Sequence, residues 1–214
     1  MPVTRPSPVT VYHFTRVEHL ASIIESGLQP DSTVGGRLQV EVGHAGIKSR
    51  RALRPVPVAP GGFVGDYAPF YFAPCSPMMY SIHRGNVPNY SDGCSRLIYL
   101  VTTVERLHRL GAAIVLSDRN AVYQYAEFRR FRSSWPSDDF IDWPLMRARW
   151  WNNTADDPDR MERRMAECLV HGEVPWTAFT EVHARSRAVA AEADRALSAA
   201  SAAIRTTVSP QWYF

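Results

Sequence analysis

The chain has 214 residues, 45% of them apolar and 21% charged, with a formal net charge of +3. That length supports a core without disulfide or metal staples. A charge of +3 excludes a surface coated for indiscriminate nucleic-acid binding. No apolar run approaches the roughly 18–20 residues of a membrane span, and the start Met1-Pro2-Val3-Thr4-Arg5-Pro6 has no apolar segment of signal-peptide type. The expected compartment is the cytoplasm.

Val9-Thr10-Val11-Tyr12-His13-Phe14 has a β-rich composition and reads as a first strand. Thr15 is placed to cap a helix, with Glu18 as capping-box partner; Leu20, Ile23 and Ile24 make its apolar face and Gly27 ends it. Residues 31–60 read as a helix fragment inside a long loop, because the prolines after Arg50-Arg51 cannot continue a helix. Phe70-Tyr71-Phe72 reads as a short buried strand, and 77–82 as a helix with proline in its first turn. Leu97–Thr102 and Ala113–Leu116 are apolar, β-branched strands.

From 117 to 166 the chain becomes aromatic, arginine-rich and acidic, punctuated by Pro136, Pro144 and Pro158. This stretch is too long for an idle connection and is expected to carry binding work. Within it Asp157-Pro158 reads as the N-cap and first position of a helix ending near Met165. Ala178–Arg185 offers a late strand and Arg187–Arg205 an amphipathic helix. Strands and helices do not alternate strictly and no Gly-x-Gly-x-x-Gly occurs, so an α+β fold is expected rather than a nucleotide-binding Rossmann sheet. One domain spans 1–214.

Cys75, Cys94 and Cys168 are odd in number and widely spaced. That argues against a disulfide framework and against zinc-site spacing, leaving small buried side chains. No metal is expected. Lys48 is the only lysine; every other basic residue is arginine, a bias that a GC-rich genome would also produce. Arginines beside aromatics occur at Arg129-Arg130-Phe131-Arg132 and Arg147-Ala148-Arg149-Trp150-Trp151. Guanidinium planes and aromatic faces stack on splayed bases while the charge holds phosphate, so Arg129, Arg149 and Trp150 are candidates for single-strand binding.

Four segments carry the functional reading: Tyr12-His13-Phe14-Thr15, Arg50-Arg51, Ala68-Pro69-Phe70-Tyr71-Phe72-Ala73-Pro74 leading into Ser76-Pro77-Met78, and Arg163-Arg164-Met165-Ala166-Glu167-Cys168-Leu169-Val170-His171. Together they resemble the DarT family of DNA ADP-ribosyltransferase toxins, from Tyr12 to the closing Trp212-Tyr213-Phe214. The resemblance implies a split β-sheet core with flanking helices, and an acceptor-recognition insertion at about 117–166. It also implies transfer of ADP-ribose from NAD to a base of single-stranded DNA, and a DarG-type macrodomain antitoxin as partner; a monomer is expected.

Such transfer breaks the bond between ribose C1′ and nicotinamide and builds positive charge on the sugar, which a carboxylate stabilises. The resemblance makes Glu167 that carboxylate. It puts Arg51 in the active site, either bracing the NAD diphosphate or stabilising the base as its ring nitrogen loses a proton; a guanidinium is a poor proton acceptor. It implies NAD contacts from His13, Phe14, Thr15, Ser22, Pro30, Tyr71 and Ser76. Asp118-Arg119-Asn120-Ala121 opens the insertion, where Arg119 and Asn120 are candidates for the DNA strand. Asn120 has the groups to read a base edge and is equally a good turn residue. Relatives generally carry arginine in place of Cys75 and often an aromatic residue in place of Cys168. The pattern is closest to thymine-modifying members. Guanine, RNA or protein as acceptor, or a binding module without catalysis, are the alternatives.

Overall fold

β-branched and aromatic runs condense into one sheet. In the computed structural model, which describes residues 5–34, 42, 45–88, 90–135 and 139–214, its strands are β1 (Thr10–Arg16), β2 (Tyr67–Tyr71), β3 (Leu97–Thr103), β4 (Ile114–Ser117), β5 (Phe128–Arg130), β6 (Glu167–His171), β7 (Glu181–Ala184) and β8 (Thr206–Val208). The spatial order is β5-β4-β6-β2-β1-β3-β7-β8, and every pairing is antiparallel except that of β7 with β8. A parallel, doubly wound nucleotide sheet is therefore absent among the described residues, and the α+β expectation holds. The opening residues 1–4 and Pro136 lie outside the described residues.

Helices flank the sheet: α1 (Leu20–Ser26), α2 (Asp31–Val34), α3 (Ala45–Leu53), α4 (Pro77–His83), α5 (Val104–Arg109), α6 (Trp143–Arg147), α7 (Arg160–Arg163) and α8 (Arg187–Ala199). Both faces of the sheet are covered. In β3, Ile98 and Leu100 join the core under α1 and α8, while Leu97, Tyr99 and Val101 join a second core with Met79, Ile82 and Tyr213. Burial on both faces explains why this strand is an unbroken apolar run rather than an alternating one. Residues Val189, Ala193 and Leu197 bury the apolar stripe of α8.

Several local readings are corrected. Thr15 does not cap a helix: β1 runs on to Arg16, a 3-10 turn (Val17–His19) intervenes, and the Thr15 hydroxyl lies 3.1 Å from His19 Nδ1. Glu18 instead meets Arg16 and Arg96. The 31–60 segment holds two helices, α2 and α3, and α3 stops at Leu53 before Pro55 as the prolines require. Helix α7 starts at Arg160, later than Asp157-Pro158 suggests, because the Asp157 carboxylate is held by Arg160 and Arg163 rather than by backbone N–H groups. Helix α8 ends at Ala199, short of Arg205, and β8 follows. Gly27 does end α1, with φ 73° and its N–H donated to Ile23 O at 2.9 Å.

One junction positions the site. Strands β1 and β2 pair only at Tyr12↔Tyr71. Two residues back, Pro69 turns its carbonyl toward β1, where His13 Nδ1 meets it at 2.8 Å. In an antiparallel strand the N–H and C=O of one residue face the same neighbour, so the β1-facing nitrogen of Pro69 is one with no hydrogen to give. The ladder stops there and the sheet splits.

Candidate active site

The split opens into a cavity of about 730 Å³, walled by β1, α1, α3, β2, α4 and the segment that follows β4. Its charged centre is a buried pair. Glu167 begins β6, in register with Tyr71 on one side and Ser117 on the other, and is 1% exposed. Its N–H donates to Ser117 Oγ at 3.3 Å, and the nearby Ala121 backbone helps to hold its carboxyl down. Arg51, near the end of α3 and 7% exposed, donates Nη1 to both carboxylate oxygens, at 2.9 and 3.0 Å.

Burial raises the Glu167 carboxyl above the usual carboxylate range, and Arg51 offsets part of that rise. Arg51 is desolvated too, but Glu167 more than compensates and keeps its guanidinium charged. Its Nη2 is buried without a hydrogen-bond partner among the described residues. An unpartnered donor in a cavity wall suits an anionic or carbonyl oxygen of a ligand.

His13 also lines the cavity. Burial lowers its ring to about 4, so it is neutral at physiological pH. With the Nδ1 hydrogen donated to Pro69 O, the lone pair sits on Nε2. Phe14 stacks on Tyr71, ring centroids 6.0 Å apart and 14° between planes, and both line the cavity. Burial and the neighbouring Glu167 raise the Tyr71 phenol, which therefore stays protonated. Thr15 and Ser22 lie on the same wall; the Ser22 hydroxyl donates to His19 O at 2.8 Å.

The remaining sequence candidates divide. Asn120 is on the wall, 8% exposed, with Oδ1 accepting from Val122 N at 3.1 Å and Nδ2 pointing at Met165 Sδ at 3.7 Å. Ser76 is off the wall: it is buried and caps α4 by accepting from Met79 N at 3.2 Å. Pro30 is off it as well, its carbonyl accepting the N–H groups of Thr33 and Val34 that open α2. Arg119 is engaged by Asp118, Asp159 and Glu162. Arg129 lies over the Phe140 ring at 4.5 Å, and Arg149 over Trp150, which is 71% exposed. None of these three arginines lines the cavity.

The Lys48–Asp31 ion pair, at 2.8 Å on the same wall, was not read as part of the site from sequence. The one signal for it is that Lys48 is the only lysine in an otherwise arginine chain. Tyr123, Met161 and Met165, which also line the cavity, carry no such mark. Cys94 and Cys168 are buried, as small side chains of their kind should be, whereas Cys75 is half-buried with φ 53°.

Comparison with known proteins fits this geometry. The profile described as "ssDNA thymidine ADP-ribosyltransferase, DarT" matches residues 12–214. The chain belongs to the DarT family. A DNA ADP-ribosyl transferase of Thermus sp. (strain 2.9) is 32% identical over 213 residues, 99% of either chain. The solved structure of Thermus sp. 2.9 DarT in complex with ADP-ribosylated ssDNA superposes with a TM-score of 0.90 at 32% identity, covering 100% of both chains. The same protein in complex with NAD+ gives 0.85 at 30% identity, covering 99% of this chain and 100% of the other. The ADP-ribosyltransferase fold of the DarT family is thus the fold of this chain.

Proposed function

We propose that this chain moves ADP-ribose from NAD onto thymidine in single-stranded DNA and releases nicotinamide, with Glu167 and Arg51 as the charged centre. The observation that carries the reading is a 1% exposed carboxylate, doubly hydrogen-bonded by one arginine, on the wall of a cavity that His13 and Thr15 also line. A volume of about 730 Å³ lies within the range of small-molecule sites. Lys48 and Arg50 on the same wall suit a diphosphate.

NAD supplies a C1′–nicotinamide bond that departs with its electron pair and leaves the sugar positively charged. Glu167 sits as a fixed negative charge for that cation, in a desolvated wall where such a charge acts strongly. By analogy with preorganised oxyanion donors, its removal should cost about 2.7–4 kcal/mol of barrier. The thymine ring nitrogen forms the new bond to C1′ and loses its hydrogen. Arg51, charged at every working pH, does not take that proton; it offers Nη2 to the oxygen beside the nitrogen as the ring gains negative character. Glu167 is the buried carboxylate within Arg51's reach that can receive it.

Finer features rest on the same reading. We take residues 1–214 as one catalytic domain, since the sheet draws strands from both ends of the chain. We expect a cytoplasmic, monomeric toxin, countered by a macrodomain antitoxin of the DarG type that strips ADP-ribose from DNA. Among the described residues no helix is long and apolar enough to cross a membrane.

The test is incubation with labelled NAD and a random single-stranded oligonucleotide pool. ADP-ribosyl mass gain on thymidine with equal nicotinamide release is expected, and Glu167→Ala should slow both by about 10²- to 10³-fold. Gain on guanine, RNA or protein instead would shift the acceptor. Binding without any gain would reduce the chain to a nucleic-acid-binding module.

A further inference from the structure

Three side chains beyond Glu167 and Arg51 form a stack that ends at the cavity. The Arg119 guanidinium carbon lies 5.2 Å from the Tyr125 ring centroid. The Tyr125 and Tyr123 rings are stacked, 5.4 Å apart with 23° between planes. Tyr123 lines the cavity beside Asn120 and Arg50. The stack is held from outside: the Tyr125 hydroxyl donates to Glu162 Oε2 at 2.7 Å, and Arg119 donates to Asp118 and Asp159 at 2.9 and 3.1 Å. Tyr123 sits in a closed turn, its N–H donating to Asn120 O and its carbonyl accepting from Ala126 N, both at 3.1 Å.

Offset-stacked rings with a cation over the far face leave an ordered aromatic surface that a further π-face can extend. Bases stack on such platforms regardless of their hydrogen-bonding edges. The platform belongs to the segment between β4 and β5, and in the sheet β4 flanks the Glu167 strand on one side while β2, followed by β1, lies on the other. His13 and Thr15, for which NAD contacts are implied, stand on β1. We infer that Tyr123 stacks on a base of the acceptor strand next to the thymidine being modified, with Tyr125 and Arg119 as its backing. This rests on the function proposed above and adds a residue that selects and orients the strand. Arg119 then acts through Tyr125 and not by touching DNA.

The experiment measures transfer to a thymidine-containing oligonucleotide for the wild type, Tyr123→Ala, Tyr123→Leu and Tyr123→Phe. Base–aromatic stacking predicts a rise in oligonucleotide KM of about 5- to 150-fold for Ala and Leu. Phe should stay within twofold of wild type, and the KM for NAD should move less than twofold in all three. A second readout places 2-aminopurine on either side of the thymidine. Its fluorescence should be quenched on binding to wild type and to Tyr123→Phe, and not on binding to Tyr123→Leu, a variant that keeps bulk for folding. An unchanged oligonucleotide KM for Ala and Leu, quenching that survives in Leu, or an NAD KM that rises in step would overturn the inference. Should wild-type protein leave the oligonucleotide unmodified, the functional reading itself would fail and this inference with it.

Discussion

Arg51 gives one nitrogen to both oxygens of Glu167 while its other terminal nitrogen is buried with no partner among the described residues. The pair is therefore complete as an ion pair and incomplete as a hydrogen-bonding group. Removing one member leaves a buried charge without its counter-ion, which costs about 3–5 kcal/mol. Arg51→Ala and Glu167→Ala should each lower the melting temperature markedly. The double variant Arg51→Met/Glu167→Leu should recover most of that stability and remain inactive. Arg51→Lys keeps charge but loses the planar fork, so it should fold and lose at least about 10²-fold in transfer, the scale of a lost preorganised donor. Full turnover in Arg51→Lys would refute the fork.

The acid limb of the pH profile follows from the same pair. Burial raises the folded Glu167 carboxyl, and only the ionised form can face a cation. Activity should be full above that raised value and fall as pH drops through it, so the limb in kcat/KM for NAD should lie above the ordinary glutamate value of about 4.3. Stability must respond in the opposite sense. A raised acid binds its proton more tightly when folded, so this group favours the fold increasingly as pH falls through the window. Comparing wild type with Glu167→Gln by thermal melts across that range isolates the contribution, which should vanish in the variant.

His13 works in the other direction. Its ring is lowered from 6.5 to about 4 by burial, so the folded state resists protonation that the unfolded chain accepts. Its contribution is fully present above pH 6.5 and is lost as pH falls toward 4, by up to about 3 kcal/mol. His13→Gln should show a smaller loss of stability between pH 6.5 and 4 than wild type. An equal loss would mean that another group carries the acid sensitivity.

The parts of this site legible in the sequence are those where chemistry and local structure coincide. Glu167 stands at the junction of a basic run and an apolar strand, and Arg51 where prolines end a helix; both positions announce a side chain held at the end of an element. Strand β3 was legible because a run of five apolar residues needs burial on two faces. Less could be read where two roles compete for one side chain. Ser76 has the residue type of a ligand contact, and its hydroxyl oxygen also caps α4 by accepting from Met79 N. Asp157 looks like a helix cap until Arg163 is brought beside it. Strand β8 and the platform at Tyr123 depend on pairing and stacking that no spacing reveals. The split itself was carried by resemblance, although its cause, a proline facing the neighbouring strand, is local.

Asn120 is the residue for which turn and recognition still compete, and the two roles use different atoms. Oδ1 closes the turn by accepting from Val122 N, while Nδ2 meets, among the described residues, only the weak acceptor Met165 Sδ on the cavity wall. A base oxygen in place of sulfur would give that amide a stronger partner. Asn120→Ser keeps a short side chain whose hydroxyl can accept from Val122 N, and loses the amide donor. Melting should change by less than about 1 kcal/mol, while the oligonucleotide KM should rise about 5- to 150-fold, the worth of a specific base contact. Asn120→Ala removes both functions and should show the same KM effect with an added loss of stability. If Asn120→Ser instead matched wild type on DNA while Asn120→Ala failed to fold normally, the residue would be a turn former and the base edge would be read elsewhere.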